Sequence, residues 1–360
     1  MKLPKKKYIF LGGGLAVLAL VLLLIAAALP KPLQSQKQAE RWAGESGERF
    51  VQFSRFFPPT DSSLQRDSIA ALRQTLTEKL TAASMETPPG GKLFCDAWST
   101  AGTLKVKSER GSFETAALAV GGSYFDFHPL TLCSGGFLSE GDLMKDRVVL
   151  DAQLAWLLYG STDLAGLTVE IDGQQFFIAG VVERESGRAV ETVAEPGPML
   201  YLPYETWTAM HEGAGADCYE IVLPEPAEGF AKAVLEECLP TDSGVLRENT
   251  GRFRFGASLK LLKEWNKGRL RTEAVAFPDW ENAALYTESR CALLRVLALI
   301  ALLFPAVLVC IELVRLALFA REKLRGGGRA IYEKALEKSD ARRERRMRLR
   351  SGSSHLKGKG

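Results

Sequence analysis

The residues of this chain that could do chemistry are few and scattered. Its only histidines are His128, His211 and His355. Proton transfer needs a histidine set against a carboxylate or a nucleophile, and no spacing here arranges one. His128 stands beside Pro129 among apolar residues and reads as structural. Glu140, Asp142 and Asp146 could pair as carboxylates or hold calcium, but in a polar segment they read as a solvated turn. Gly90-Gly91-Lys92 resembles the end of a phosphate-cradling loop, yet Glu86 stands where its first glycine belongs. The GxSxG, HExxH and GxGxxG patterns are absent. No catalytic residue, metal ligand or cofactor follows, and the chain reads as a non-enzyme.

Six cysteines are present. Cys310 lies inside an apolar run and Cys291 at its edge, while Cys95, Cys133, Cys218 and Cys238 fall in the middle of the chain. No CxxC pair exists, so a zinc site is not expected. In an oxidising compartment disulfides persist. Cys218–Cys238 is the favoured pair, because a strand and its following helix can bring the two together. The alternative is four buried thiols acting as small apolar side chains.

The elements that must position these residues begin with two apolar runs. Residues 9–29 form 21 consecutive positions without a charge, enough to cross a hydrocarbon core of roughly 30 Å. Residues 292–319 are nearly as apolar, with Arg295, Glu312 and Arg315 toward the ends. There, long side chains either reach the headgroups or pair with partner helices. Gly12 and Ala16 form one small-xxx-small step suited to close helix packing.

The formal charge of +3 hides an asymmetry. Four lysines precede the first run, residues 321–360 hold 14 basic and five acidic residues, and residues 31–290 hold 26 basic and 37 acidic. Basic flanks stay in the cytoplasm. Both termini are therefore predicted inside and the acidic middle outside. A cleaved signal peptide is the competing reading of residues 1–29. The run is long for that, and Pro30 and Pro32 crowd the cleavage site, so a retained anchor is expected. The basic tail reads as a topology signal that touches lipid headgroups rather than as a nucleic-acid arm.

The predicted organisation is a basic N-terminus (1–8), a first membrane helix (9–29), an extracytoplasmic domain (30–290), a second membrane helix (291–320) and a basic cytoplasmic tail (321–360). Within the domain, aromatic spacing predicts helix over 39–57 and apolar periodicity predicts helix over 61–84, capped by Asp61, Ser62 or Ser63. Pro88-Pro89-Gly90-Gly91 marks a turn. Strands are expected at 93–98, 103–108, 113–120, 148–150, 167–171, 175–182, 199–202, 217–223, 245–248 and 252–255. Asp151 should cap a helix over 152–159 that Gly160 ends, and Asp172-Gly173 should turn a hairpin. Residues 183–198 read as a loop, and 204–210, 229–239 and 259–266 as helices. The fold class is α+β: a split strand–helix–strand unit with a β-rich subdomain inserted at about 135–205.

One stretch carries a resemblance. Gly136-Phe137, Val148-Val149-Leu150-Asp151, Ala155-Trp156-Leu157, Tyr159-Gly160-Ser161, Gly166, Ile171-Asp172-Gly173, residues 177–182 with Gly180, and Tyr201-Leu202-Pro203-Tyr204 together resemble the extracytoplasmic core domain of MacB-like ABC transporter permeases. Gly136, Asp151, Trp156, Gly160, Gly166, Asp172, Gly173 and Gly180 would be scaffold positions rather than catalysts. The resemblance implies a permease-like membrane subunit of an exporter or mechanotransmission complex, with a separate ABC ATPase and other permease subunits as partners. Family members usually have four membrane helices. Two apolar runs therefore imply an atypical member, in which the family's ATPase contact between later helices has no counterpart. The other expectation is a membrane-anchored extracytoplasmic binding or scaffold protein without transport activity.

Overall fold

A computed structural model gives the fold and describes residues 6–58, 64–87, 91–194, 197–239, 244–264 and 275–354. In chain order these form α1 (Lys6–Ala28), a 3-10 turn (Gln34–Gln36), α2 (Gln38–Ala43), β1 (Phe50–Phe56), α3 (Arg66–Ala82), β2 (Cys95–Ser108) and β3 (Gly111–Gly122). There follow α4 (Tyr124–Phe127), β4 (Thr131–Gly135), β5 (Arg147–Asp151), α5 (Ala152–Tyr159), β6 (Thr168–Ile171), β7 (Gln174–Glu183), α6 (Arg188–Val193), β8 (Met199–Pro203) and α7 (Tyr204–Met210). The series ends with β9 (Cys218–Pro224), α8 (Phe230–Cys238), β10 (Val245–Glu248), α9 (Phe255–Glu264) and α10 (Asp279–Ser354).

The chain divides into two compact units, Met1–Leu23 with Val296–Gly360, and Leu24–Arg295. The first is made by α1 and the apolar part of α10, each long and apolar enough to cross a membrane. Their large side chains are uncovered, Phe10 at 87% and Leu303 at 64% exposure, as suits lipid rather than water. A Cβ on Gly12 would lie 2.9 Å from Leu308 Cδ1, whereas Gly13 and Gly14 face open space. Gly12 is thus where the two helices pack closely.

In the second unit the described strands form one mixed sheet in the order β10-β1-β9-β2-β3-β8-β5-β7-β4, with β6 paired to β2 and β7. The pairs β3/β8 and β5/β7 are parallel. Helices cover both faces, and alternation along each strand decides which residue meets which layer. On β9, Tyr219, Ile221 and Leu223 face the main core with Ala231 and Leu235 of α8 and Ile69, Leu72, Leu76 and Leu80 of α3. Val222 joins a second core on the other face with Ala39, Tyr124 and Phe127. Each fully buried leucine contributes roughly 1.5–3 kcal/mol.

Asp151 is fully buried and caps α5 by accepting from Leu154 N at 2.6 Å and, through its other oxygen, from Met199 N at 3.0 Å. Burial raises its pKa above the ordinary 3.8, and the two backbone donors only partly oppose that. The folded state therefore holds the proton more tightly than the unfolded chain. The contribution is full below the unfolded value and is lost as pH rises through the folded one. Relative to Asp151→Asn, wild-type stability should rise as pH falls toward the carboxylate range, as read from urea midpoints.

Several expectations are corrected. Residues 39–57 are not one helix: α2 stops at Ala43, and residues 50–56 are strand β1, between β10 and β9. Val51, Phe53 and Phe57 enter the main core, while Phe56 packs on the opposite face with Cys218 and Trp280. That is alternation, and the aromatic spacing mimics a helix. The strands expected at 93–98 and 103–108 are one strand, β2, paired with β3 across twelve positions. Residues 252–255 turn rather than extend, and α9 begins at Phe255. The loop at 183–198 contains α6. The expected cap residues Asp61, Ser62 and Ser63, the Pro88-Pro89-Gly90 turn and His355 lie outside the described residues.

Candidate functional site

The most elaborate polar arrangement among the described residues lies where α10 begins. Asp279–Arg295, the first turns of α10, belong to the domain unit. Trp280 packs with Phe56, Cys218 and Val275, while Ala283 and Ala284 pack with Leu33, Val190 and Phe253. Glu281 and Glu288 are seven residues apart, so both lie on one helix face. Arg252 bridges them. Its Nη1 reaches Glu281 Oε2 at 2.7 Å, and its Nη2 reaches Glu281 Oε1 at 3.0 Å and Glu288 Oε2 at 3.3 Å. Arg252 is 7% exposed and Glu281 fully buried.

Further bonds tie this triad to the sheet. Arg252 Nη1 and Asn249 Nδ2 both donate to Gln36 Oε1, at 3.0 and 3.1 Å. Asn249 Oδ1 accepts from Ser54 Oγ of β1 at 3.1 Å. Burial works against the arginine's charge, but Glu281 and then Glu288 more than offset it and hold its pKa above the usual value. A guanidinium fork presenting parallel N–H groups to a carboxylate suits this use. Arg184 Nη2 reaches Asp279 Oδ2 at 3.2 Å.

Arg295 corrects an expectation. It neither reaches for headgroups nor waits for a partner helix. It is 8% exposed and donates to Phe253 O at 2.6 Å, Arg254 O at 3.1 Å and Ser258 Oγ. These carbonyls close the turn between β10 and α9, so the arginine clamps that turn to α10. Glu312 and Arg315 pair with each other at 2.8 Å, three positions apart on the helix.

The residues singled out in the sequence lie elsewhere. Gly136 and Gly180 meet at the end of β4, where Gly136 N donates to Ala179 O at 2.9 Å. Gly160 ends α5 in the left-handed conformation at φ 72°. Trp156 is on α5, 58% exposed. Gly166 N donates to Ile178 O at 2.8 Å, and Asp172 and Gly173 turn the β6–β7 hairpin with φ 46° and 84°. Together they shape turns and strand ends of the sheet.

The cysteine pairing is corrected. Cys218 and Cys238 are both free thiols. Alternation turns Cys218 to the face where Phe56 and Trp280 lie, whereas Cys238 packs with the main core. A sheet layer separates them.

His128 is buried and bonds Glu220 Oε2 at 2.5 Å, between the rings of Tyr124 and Trp280. No local signal points to Glu220, because its place opposite His128 depends on strand pairing. Glu140 pairs with Arg73, which holds its carboxyl below the usual range, and Asp142 accepts from Ser139 N. Among the described residues no three His, Cys, Asp or Glu side chains gather to hold a metal.

No family profile matches the sequence, and no curated protein matches it. Solved structures do. The extracellular domain of the noncanonic ABC-type transporter YknZ from Gram-positive bacteria is 14% identical with a TM-score of 0.38, over 56% of this chain and 99% of that one. The periplasmic region of MacB from Actinobacillus actinomycetemcomitans is 16% identical with a TM-score of 0.41, over 61% and 94%. A domain of a permease protein from Porphyromonas gingivalis is 16% identical with a TM-score of 0.32, over 56% and 90%. The chain carries two apolar, membrane-length helices and a mixed α+β domain.

Proposed function

We propose that this chain is a two-pass membrane subunit of an ABC-type export or mechanotransmission complex, with both termini cytoplasmic and residues 30–290 outside. Its domain moves when a separate ATPase acts on the membrane helices. The observation that carries this reading is the fastening of α10. Its first turns are locked into the domain by Arg252 and Arg295, and the same helix continues as the apolar run. In the proposed mechanism a tilt of that helix is what moves the domain. The charge asymmetry supports the orientation.

Two measurements test it. Protease added to intact cells should digest the middle of the chain and spare a C-terminal tag; a digested tag with an intact middle overturns the orientation. Purification of the full chain from its native membrane should recover a nucleotide-binding subunit. Recovery of the chain alone selects the other reading, an anchored extracytoplasmic binding or scaffold protein.

A further inference from the structure

The base of the domain also holds a cavity of about 540 Å³, within the roughly 300–1,000 Å³ span of small-molecule sites. Ile25 from the end of α1, Leu29 and Leu33 beyond it, and Leu293 and Leu294 from α10 supply apolar walls. Ile25, Leu29 and Leu293 are exposed, and Ile25 and Leu293 belong to helices long and apolar enough to cross a membrane. Two cations line it, Arg188 and Arg290. Both are exposed and neither is in an ion pair among the described residues; Arg290 lies over the Tyr286 ring at 5.0 Å. Glu185 also lines the cavity, and its Oε1 is buried without a hydrogen-bond partner among the described residues. Burial pushes the Glu185 carboxyl up, with His128 and the Gln34 amide opposing.

An apolar slot built on membrane-length helices and two guanidinium groups outside any ion pair call for a ligand with a long apolar tail and an anionic, oxygen-rich head. We propose that this cavity binds one anionic phospholipid from the outer leaflet, its acyl chain between Leu29 and Leu293 and its phosphate at Arg188 and Arg290. The arginines supply complementary charge, and a lipid can enter from the bilayer without crossing water. The inference rests on the membrane reading above.

The test uses the full-length chain in nanodiscs of equal dioleoyl phosphatidylglycerol and dioleoyl phosphatidylcholine. The protein is then released into detergent, and retained lipids are counted by native mass spectrometry. One phosphatidylglycerol should be retained in preference to phosphatidylcholine. Arg188→Ala and Arg290→Ala should each weaken retention about fivefold, as expected for one cation at a lipid surface, and Arg290→Lys should restore it. Ala28→Trp, at an exposed position of the wall, should block the slot for both lipids. Equal retention of the two lipids, indifference to all these variants, or displacement by millimolar inorganic phosphate would each overturn the proposal. The orientation is judged separately by protease. A cytoplasmic domain whose lipid retention still obeys these variants keeps the site and sinks only the topology.

Discussion

Replacing Arg252 by alanine should destabilise the domain by about 3–5 kcal/mol, the cost of breaking a buried pair by removing one partner. Glu281 is fully buried and accepts from both terminal guanidinium nitrogens of Arg252. Without the arginine its charge has no compensation, and Gln36 and Glu288 lose a donor as well. Urea unfolding of the full chain in detergent reads the loss. The double variant Arg252→Ala/Glu281→Gln should recover a good part of it, since the stranded charge is then gone. Arg252→Met with Glu281→Leu and Glu288→Leu should come close to wild-type stability, because well-packed apolar groups match buried ion pairs. Under the proposed function that variant still carries a defect in coupling, since the helix loses directional bonds to the sheet. A loss below about 1 kcal/mol for Arg252→Ala, no more than a surface ion pair gives, would show that the triad does not fasten α10.

Gly180→Val should cost about 3 kcal/mol, the upper end for forcing atoms into a filled site. A Cβ at Gly180 would lie 2.5 Å from Gly136 O and 2.8 Å from Gly136 N and Ser134 O. All three are backbone atoms at the end of β4, so relief requires breaking the β4–β7 pairing. Gly136 is the control. A Cβ there meets nothing within 4 Å, and Gly136→Ala should stay within about 0.5 kcal/mol. The two glycines stand together in the sequence motif, yet only one is needed for space. Thermal unfolding of both variants decides it; equal losses would refute the close-approach account.

Patterns with local causes are legible in the chain itself. The helix over residues 152–159, its Asp151 cap and Gly160 stop, and the Asp172-Gly173 turn each follow from a few adjacent residues. So do the apolar helices, where composition alone suffices. Residues 39–57 mislead because Phe50, Phe53 and Phe57 fit a helical period, while Val51 and Phe53 on one face and Phe56 on the other equally fit a strand buried on both faces. Local spacing does not choose between the two; the neighbours β9 and β10 do.

The two membrane-length helices, the basic ends flanking an acidic middle, and the alternation of strands and helices can all be read from the order of amino acids, because each depends on residues close along the chain. The fastening of α10 and the separation of Cys218 from Cys238 cannot; they arise when the sheet assembles. Gln36, Asn249, Arg252, Glu281 and Glu288 meet across more than two hundred positions, brought together by strand order, which no short window of sequence encodes. The cysteines part for the same reason: which face of a strand meets which layer is fixed by its partners in the sheet.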